Sequence, residues 1–514
     1  MLPNMGAWVV LSTIQSVRWF LPETILFATF ALAILADMFD DRAGSRLAAW
    51  TALVGLAATL IAAIATMGYA IPTGARGLLL FGGACAFDPL GSFFKLLFLV
   101  ATILVLLLVM RSRDYGARRM GEFYALLIAV VAGLFLMSIS THILMMYLSL
   151  ELVSYVSYVL VGYVKEDRRA SEAGLKYVLY GSVSSGAMVF GLSILYGLTG
   201  EMNLMKIGAA LAGHPGIGPA VLVASVLVMA GIGYKIAAVP FHFWCPDVYE
   251  GAATPFTAFL SVAPKAAGFA MLARLSYHVF ASNPCAVLGA VNWPMTLAVI
   301  SALTMTLGNV IAVQQTNVKR LLAYSSIAHA GYILMGLACV DRTTGVLSQR
   351  GLFGVLFYLS VYLFMNLGAF AVVIALRDKL GNEENLADYR GLGTRAPLLG
   401  VTMTIFLFSL TGLPPFAGFV GKFFLFAAVI DARMYWLAVV GIVNSVISLY
   451  YYARILKAMY LEQPASTAST PMGRLSIAPS QSALIIVLAA PTLLLGVFWG
   501  PLADLVNRSV GFLF

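Results

Sequence analysis

Apolar blocks long enough to cross a membrane follow one another along this sequence, separated by short polar stretches. A helix needs about 20 predominantly apolar residues to span a bilayer. Read with that window, the pattern predicts spans near 19–38, 47–68, 90–110, 122–140, 142–163, 174–198, 219–239, 254–279, 293–314, 321–340, 351–376, 398–430, 434–459 and 483–506. These make fourteen if 398–430, which contains Pro414 and Pro415, is one interrupted span. The longest polar connections, 377–397 and 461–482, are too short to hold a soluble domain. The expected fold is therefore an all-α polytopic membrane protein, with 1–514 as a single integral membrane domain.

Composition strengthens this reading. The chain is 61% hydrophobic and 10% charged, whereas soluble domains carry roughly 25% charged residues. Its net charge of +9 does not point to nucleic acid, because the Lys and Arg are scattered between apolar blocks and form no patch. They report topology instead. Loops after odd-numbered spans hold 18 of them, against 8 in the termini and remaining loops. The richer side is expected to be cytoplasmic, which places both termini on the non-cytoplasmic side. The first apolar run lacks a small-residue cleavage pattern and does not read as a cleaved signal. Cys85, Cys245, Cys285 and Cys339 lie far apart with no CxxC, so no iron–sulfur or zinc site is expected.

Charges within the apolar blocks carry the chemistry. Lys95, Lys176, Lys235, Lys265, Lys422 and Glu151 all fall inside or at the edge of a span. A charge at mid-membrane costs at least about 2.5–3.5 kcal/mol. Lys95 and Lys176 sit near span ends, where snorkelling to the interface is an ordinary explanation. Lys235 precedes Pro240, and a proline there leaves the carbonyl of Ile236 without its usual donor. Lys265 directly follows Pro264, and Lys422 follows Pro414 and Pro415. Three lysines beside three expected helix breaks suit an ion route. The proton affinity of a buried amine is set by desolvation against nearby carboxylates, which suits a relay better than a fixed pair.

His329 lies mid-span with Ser325 one turn earlier and is read as a relay group. His242, near the Pro240 break, is a weaker candidate, and His142, His214 and His278 receive no role. GFVGK at 418–422 lacks phosphate-loop spacing, and GIG at 231–233 reads as helix packing. No His/Glu metal pair and no Ser/His/Asp set stands out. The seventh and twelfth spans, each with a lysine and a break, stand five spans apart. A five-span unit re-enters the membrane inverted, so spans 4–8 and 9–13 are expected to form two inverted repeats.

At these residues the sequence resembles a known family. YKIAAVPFHFWCPDVYEGAATPFTAFLSVAPKAAGFA (234–270), SEAGLKYVLYGSVSSGAMVFGLSILYGLTG (171–200), NVKRLLAYSSIAHAGYILMG (317–336) and LTGLPPFAGFVGKF (410–423) are similar to the subunit N, or chain 2, family of respiratory complex I. The match covers about 85–460, and DVYEG separates it from the related L, M and Mrp-type subunits. Cys245 and Ala253 depart from the residues more usual there, and neither touches a charged site.

The resemblance implies fourteen helices with broken helices 7 and 12. It also implies a first repeat over 116–279, an inverted second over 293–460 and a last helix at 483–506. It implies a proton relay in which Glu151 and Lys176 form a charged pair, Lys235 is the central lysine and Lys265 links it to the axis. His329 then lies on the axis, and Lys422 serves the second half. No cofactor is expected in this chain, since flavin, iron–sulfur clusters and quinone would belong to other subunits. The expected partners are other membrane subunits of complex I, protons and membrane lipids, with quinone engaged only indirectly and no nucleic acid. The expected place is a bacterial cell membrane. An Mrp-type cation/proton antiporter subunit is the alternative, and a lipid-binding scaffold a third reading.

Overall fold

The computed structural model describes residues 8–39, 45–67, 77–116, 118–212, 218–280, 292–339, 345–380, 384–463 and 475–510. His214 and Cys285, weighed above, lie outside them, as do Arg42, Arg76, Arg342 and Arg474 of the loop count. The helices run in order as α1 (Thr13–Trp19), α2 (Leu21–Met38), α3 (Arg46–Met67), α4 (Pro89–Val109), α5 (Gly121–Ile139), α6 (Ile143–Val161) and α7 (Arg168–Thr199). Then follow α8 (Leu204–Ala212), α9 (Gly218–Ile236), α10 (Trp244–Gly251), α11 (Thr254–Leu275), α12 (Trp293–Gln314) and α13 (Val318–Ala338). The last are α14 (Gly345–Leu380), α15 (Leu392–Arg395), α16 (Pro397–Thr411), α17 (Ala417–Asp431), α18 (Tyr435–Leu461), α19 (Pro479–Val497) and α20 (Gly500–Val510). Among the described residues, 13 helices are long and apolar enough to cross a membrane. The expected twelfth span is two 15-residue helices, α16 and α17, parted at Gly412–Phe416.

The chain is not wholly helical. Val9–Val10 (β1), Leu78–Leu80 (β2) and Cys85–Phe87 (β3) form a small sheet in that order. β2 and β3 pair antiparallel around a turn in which Gly82 and Gly83 take positive φ. The apolar run here is far too short to span, so it pairs as strands instead.

α11 occupies the centre. It packs against α4, α5, α6, α9, α13 and α14, and every residue along it is buried. A helix apolar on all sides needs such a site. α2, α3, α7 and α18 lie further out and expose Leu, Val and Phe along one face, as for Val183, Phe190, Val439 and Val446. The break expected at Pro264 is absent, because α11 continues through it. Neighbours on every side keep the helix continuous where one backbone bond is lost, which membrane helices tolerate.

Two further expectations change. Arg274, counted among the loops, is fully buried and grips Asp88 through both terminal nitrogens, at 2.7 and 2.8 Å, while its Nε donates to the Ser138 carbonyl at 2.5 Å. Lys95 does not snorkel. Its Nζ lies 2.5 Å from Glu23 Oε1, with both side chains almost wholly buried, because Lys95 faces the first turn of α2 rather than the perimeter. Glu23 escaped notice in the sequence because it sits at the edge of the first apolar block.

Removing one partner of such a pair strands the other. Asp88→Asn and Lys95→Met should each destabilise the protein by about 3–5 kcal/mol, read as a lower thermal midpoint and less assembled protein in detergent. The double variant Asp88→Leu, Arg274→Met should be less damaging than Asp88→Asn alone. Equal loss from the double would show that the pair's shape, and not a stranded charge, sets the cost.

Candidate functional site: a buried polar axis

Lys235 lies at the end of α9, where the chain breaks at Ala237 (φ +58°). The break is largely sealed by protein. Trp244 Nε1 donates to the Tyr234 carbonyl at 3.0 Å, and Val239 N donates to Thr304 Oγ1 at 3.1 Å. The Lys235 ammonium therefore turns to α6 and donates to Ser154 Oγ at 3.2 Å. Glu151, one turn before Ser154, is buried and close enough to act electrostatically on Lys235. No cation lies within ion-pair distance of it among the described residues.

Lys176 is placed elsewhere than expected. Its Nζ sits 2.8 Å from both Glu172 Oε1 and Asp247 Oδ2. Arg320 completes the cluster, bridging Asp247 and Glu250 at 2.7 Å each. These groups line a cavity of about 270 Å³. Lys176 lies near the start of α7 and faces α10, so it meets the carboxylates there rather than Glu151. The sequence carried a signal for this. Asp247 and Glu250 stand three apart in DVYEG and share one face of a short helix.

Lys265 projects from α11 and donates to Ser326 Oγ at 2.7 Å, with its Nζ 5.7 Å from the centre of the Tyr249 ring. Lys235 packs against the same helix. A Cβ placed on Gly268, one turn beyond Lys265, would stand 3.6 Å from the Lys235 stem. Three residues past Ser326 on α13 comes His329, buried between two tyrosines. Its Nδ1 is 2.7 Å from the Tyr358 hydroxyl, and its Nε2 is 3.2 Å from the Tyr452 hydroxyl. Ser325 also reaches Tyr452, at 2.5 Å. His242, also buried, lies against the Phe243 ring with the two planes tilted by 32°, and among the described residues is not joined to this network.

Lys422 ends the series. The break between α16 and α17 frees the Thr411 carbonyl, and the Lys422 ammonium donates to it at 2.8 Å. A second bond reaches Ser445 Oγ at 3.1 Å, and the ammonium lies 4.4 Å from the centre of the Tyr332 ring. Tyr332 is three residues beyond His329 and accepts from Ser445 at 3.3 Å. The structure thus brings Glu151, Lys235, Lys265, His329 and Lys422 onto one buried axis and leaves Lys176 at its edge. Ser154, Ser326, Tyr332, Tyr358 and Tyr452 join it unforeseen. Lone hydroxyls in apolar helices are common, and only their convergence marks these. No group of three or more His, Cys, Asp or Glu among the described residues could hold a metal. What the axis offers is proton exchange through lysine, imidazole and hydroxyl groups.

Gly412 sets the geometry at the Lys422 end. Its φ is +90°, and a Cβ there would stand 2.8 Å from Lys422 Cδ. Gly412→Ala should cost about 1–2 kcal/mol from the backbone alone and push the Lys422 side chain off the Thr411 carbonyl. A lower thermal midpoint together with altered ion transport is the expected result. Wild-type values for both would show that the break does not hold Lys422.

Residues 140–448, which include Glu151, Lys235, Lys265, His329 and Lys422 but not Tyr452, match the family described as NADH:quinone oxidoreductase/Mrp antiporter, TM. The chain is 48% identical to NADH-quinone oxidoreductase subunit N of Anaeromyxobacter sp. (strain Fw109-5), covering 97% of each chain. It is similar to a chain of respiratory complex I from Thermus thermophilus, at 31% identity and a TM-score of 0.76, covering 94% of this chain and 98% of that one. A chain of the Mrp complex from Dietzia sp. DQ12-45-1b shares the fold at 22% identity, with a TM-score of 0.80 and 97% of each chain covered.

Proposed function

This chain belongs to the subunit N family of NADH-quinone oxidoreductase, a family of antiporter-like membrane subunits, and from that membership we propose that it carries protons across the membrane along the Glu151–Lys422 axis. It serves as a membrane subunit of complex I, and other subunits carry out the oxidoreduction. One observation bears most of the weight. Lys235, Lys265 and Lys422 are buried, and among the described residues no carboxylate lies within 4.0 Å of any of them. A structural lysine in a membrane is paired, as Lys95 is. A lysine held by neutral oxygens can take up and release a proton without breaking an ion pair.

In this reading the Lys- and Arg-rich face is cytoplasmic, and 116–279 and 293–460 form two inverted units, each holding one lysine beside a helix break. Lys176 is a switch. Its place between Glu172 and Asp247 is one position, and a swing towards Glu151 across the packed α6 and α7 is the other. In the second position Glu151 no longer steadies the charge on Lys235. Charge changes in neighbouring subunits reach the axis through that exchange.

Lys235→Ala should nearly abolish proton uptake by inverted vesicles that oxidise NADH, with the complex still assembled, because alanine is the best helix former. Lys422→Ala should impair uptake as well. Normal acidification by either variant would sink the assignment.

The switch makes its own prediction. Glu151→Gln combined with Lys176→Met should do less harm than the two single effects added together, measured at matched complex content. Strict additivity would mean that the two residues act independently.

A further inference from the structure

An ammonium group has three hydrogens and no lone pair, and Lys422 meets three electron-rich partners. They are the Thr411 carbonyl at 2.8 Å, Ser445 Oγ at 3.1 Å and the face of the Tyr332 ring, 4.4 Å away at its centre. A carbonyl and a ring face can only receive. A serine hydroxyl can also donate, so what Ser445 offers Lys422 depends on what stands behind it.

Behind it, between α12, α13 and α18, is a cluster of amides and hydroxyls that the relay does not use. Asn309, Asn444 and Tyr451 are all buried there. Asn444 Nδ2 donates to the Val440 carbonyl at 2.9 Å and to Thr306 Oγ1 at 3.1 Å. Asn444 Oδ1 accepts from Asn309 Nδ2 at 3.1 Å. The same Asn309 nitrogen donates to the Tyr332 hydroxyl at 3.4 Å, while Asn309 Oδ1 accepts from the Tyr451 hydroxyl at 2.9 Å. The Tyr332 oxygen accepts from Ser445 as well.

The directions of these bonds are not free. A backbone carbonyl only accepts, so Val440 draws the amide nitrogen of Asn444 towards itself and leaves the oxygen facing Asn309. Asn309 must then present its own nitrogen, whose second hydrogen goes to Tyr332. Turning either amide round would set oxygen against oxygen, and a buried polar group without its partner is costly. With the Tyr332 oxygen held as an acceptor, Ser445 spends its hydrogen there. Only lone pairs remain on Ser445 for Lys422.

We propose that Asn309 is a positioning residue for Lys422: anchored through Asn444 to the Val440 carbonyl, it fixes Tyr332 and Ser445 so that the Lys422 nitrogen meets acceptors alone. The clamp favours the ammonium over the free amine, because it receives all three ammonium hydrogens and offers no donor to the amine lone pair. Without it, Ser445 is able to turn its hydrogen to the amine and hold Lys422 in the spent form. The inference rests on the proton reading above and deepens it at one lysine.

Asn309→Leu should lower protons moved per NADH several-fold in inverted vesicles, at matched content of assembled complex. Tyr332→Phe keeps the ring over Lys422 and removes the hydroxyl through which Asn309 acts, so it should lower pumping by a similar factor. The two changes combined should be no worse than either alone. Amides between apolar helices can also serve purely as glue. Glue would cost assembled complex and thermal midpoint, and its loss would weigh equally with or without the Tyr332 hydroxyl. An undiminished effect of Asn309→Leu in the Tyr332→Phe background therefore overturns the proposal, as does normal pumping by either single variant.

Should Asn309→Leu fail to assemble, Asn444→Val takes its place. That change leaves Asn309 present but frees its amide to turn, and it should lower pumping unless Tyr332→Phe is already there. Normal pumping by Asn444→Val, or a loss that adds to that of Tyr332→Phe, also overturns the clamp. Lys422→Ala separates the two readings. Normal pumping by that variant would refute the proton reading. A disabled Lys422→Ala beside additive effects of Asn309→Leu and Tyr332→Phe would refute the clamp alone.

Discussion

Lipid offers no lone pair to an ammonium group, so each cation inside this bundle has had to find its acceptors within the protein. Two answers occur. Arg274 and Lys95 have carboxylates, Asp88 and Glu23, and form closed pairs with no net charge. Lys235, Lys265 and Lys422 have neutral oxygens: the hydroxyls of Ser154 and Ser326, and the Thr411 carbonyl together with Ser445. The first kind is locked, because losing a proton would strand the partner's charge. The second kind can shed its proton and leave behind only an ordinary amine–hydroxyl contact. α11 carries one of each, Lys265 and Arg274, and the helix is buried on every side. Its burial keeps the locked pair dry and gives Lys265 access to α13, so that packing and function draw on the same constraint.

The two helix breaks answer that constraint differently, although each stands beside a lysine. At the α9 break, an indole and a threonine hydroxyl satisfy the loosened backbone groups. Lys235 is then left to a side-chain hydroxyl on another helix. At the α16 break the lysine itself satisfies the freed carbonyl. The C-terminal end of a helix carries partial negative charge, so Lys422 sits where a cation is favoured even without a carboxylate. Lys235, in the last turn of α9, also stands at a helix C-terminus and has Glu151 nearby besides. Lys422 is thus steadied without a carboxylate, and Lys235 by backbone and a carboxylate. In the proposed switch, control from outside acts through that carboxylate, at the Lys235 end.

Much of the architecture was legible because membrane burial leaves its mark on single residues. Apolar blocks located the spans, and lysines inside them located most of the axis. The failures have physical causes. Pro264 suggested a break, but a helix packed all round keeps its course through one missing bond. Lys95 and Arg274 stood near span ends and read as interfacial, whereas each is sealed by an acidic residue distant in sequence. Asp88 also caps α4, a local role that hides its distant partner. The resemblance implies that Lys176 pairs with Glu151, whereas here it meets Glu172 of its own helix and Asp247 of α10, a helix too short to register as a span. Hydroxyl groups left the weakest trace of all. Ser154, Ser326 and Tyr358 become chemistry only where three or more helices converge.

Position along the axis also limits how charge can be distributed on it. His329 lies three residues past the Ser326 that holds Lys265 and three before the Tyr332 beside Lys422, and in a dry interior charges act on one another far more strongly than in water. In the proposed relay a charge on either lysine therefore bears on the other through the group between them, and coupling of this kind is reciprocal. The closed pair at Lys95 serves that coupling. Were its ammonium held by neutral oxygens like the others, the same field would spread the response into a group that leads nowhere. In the proposed relay, a closed pair at the margin and open lysines at the centre keep the charge on a single line.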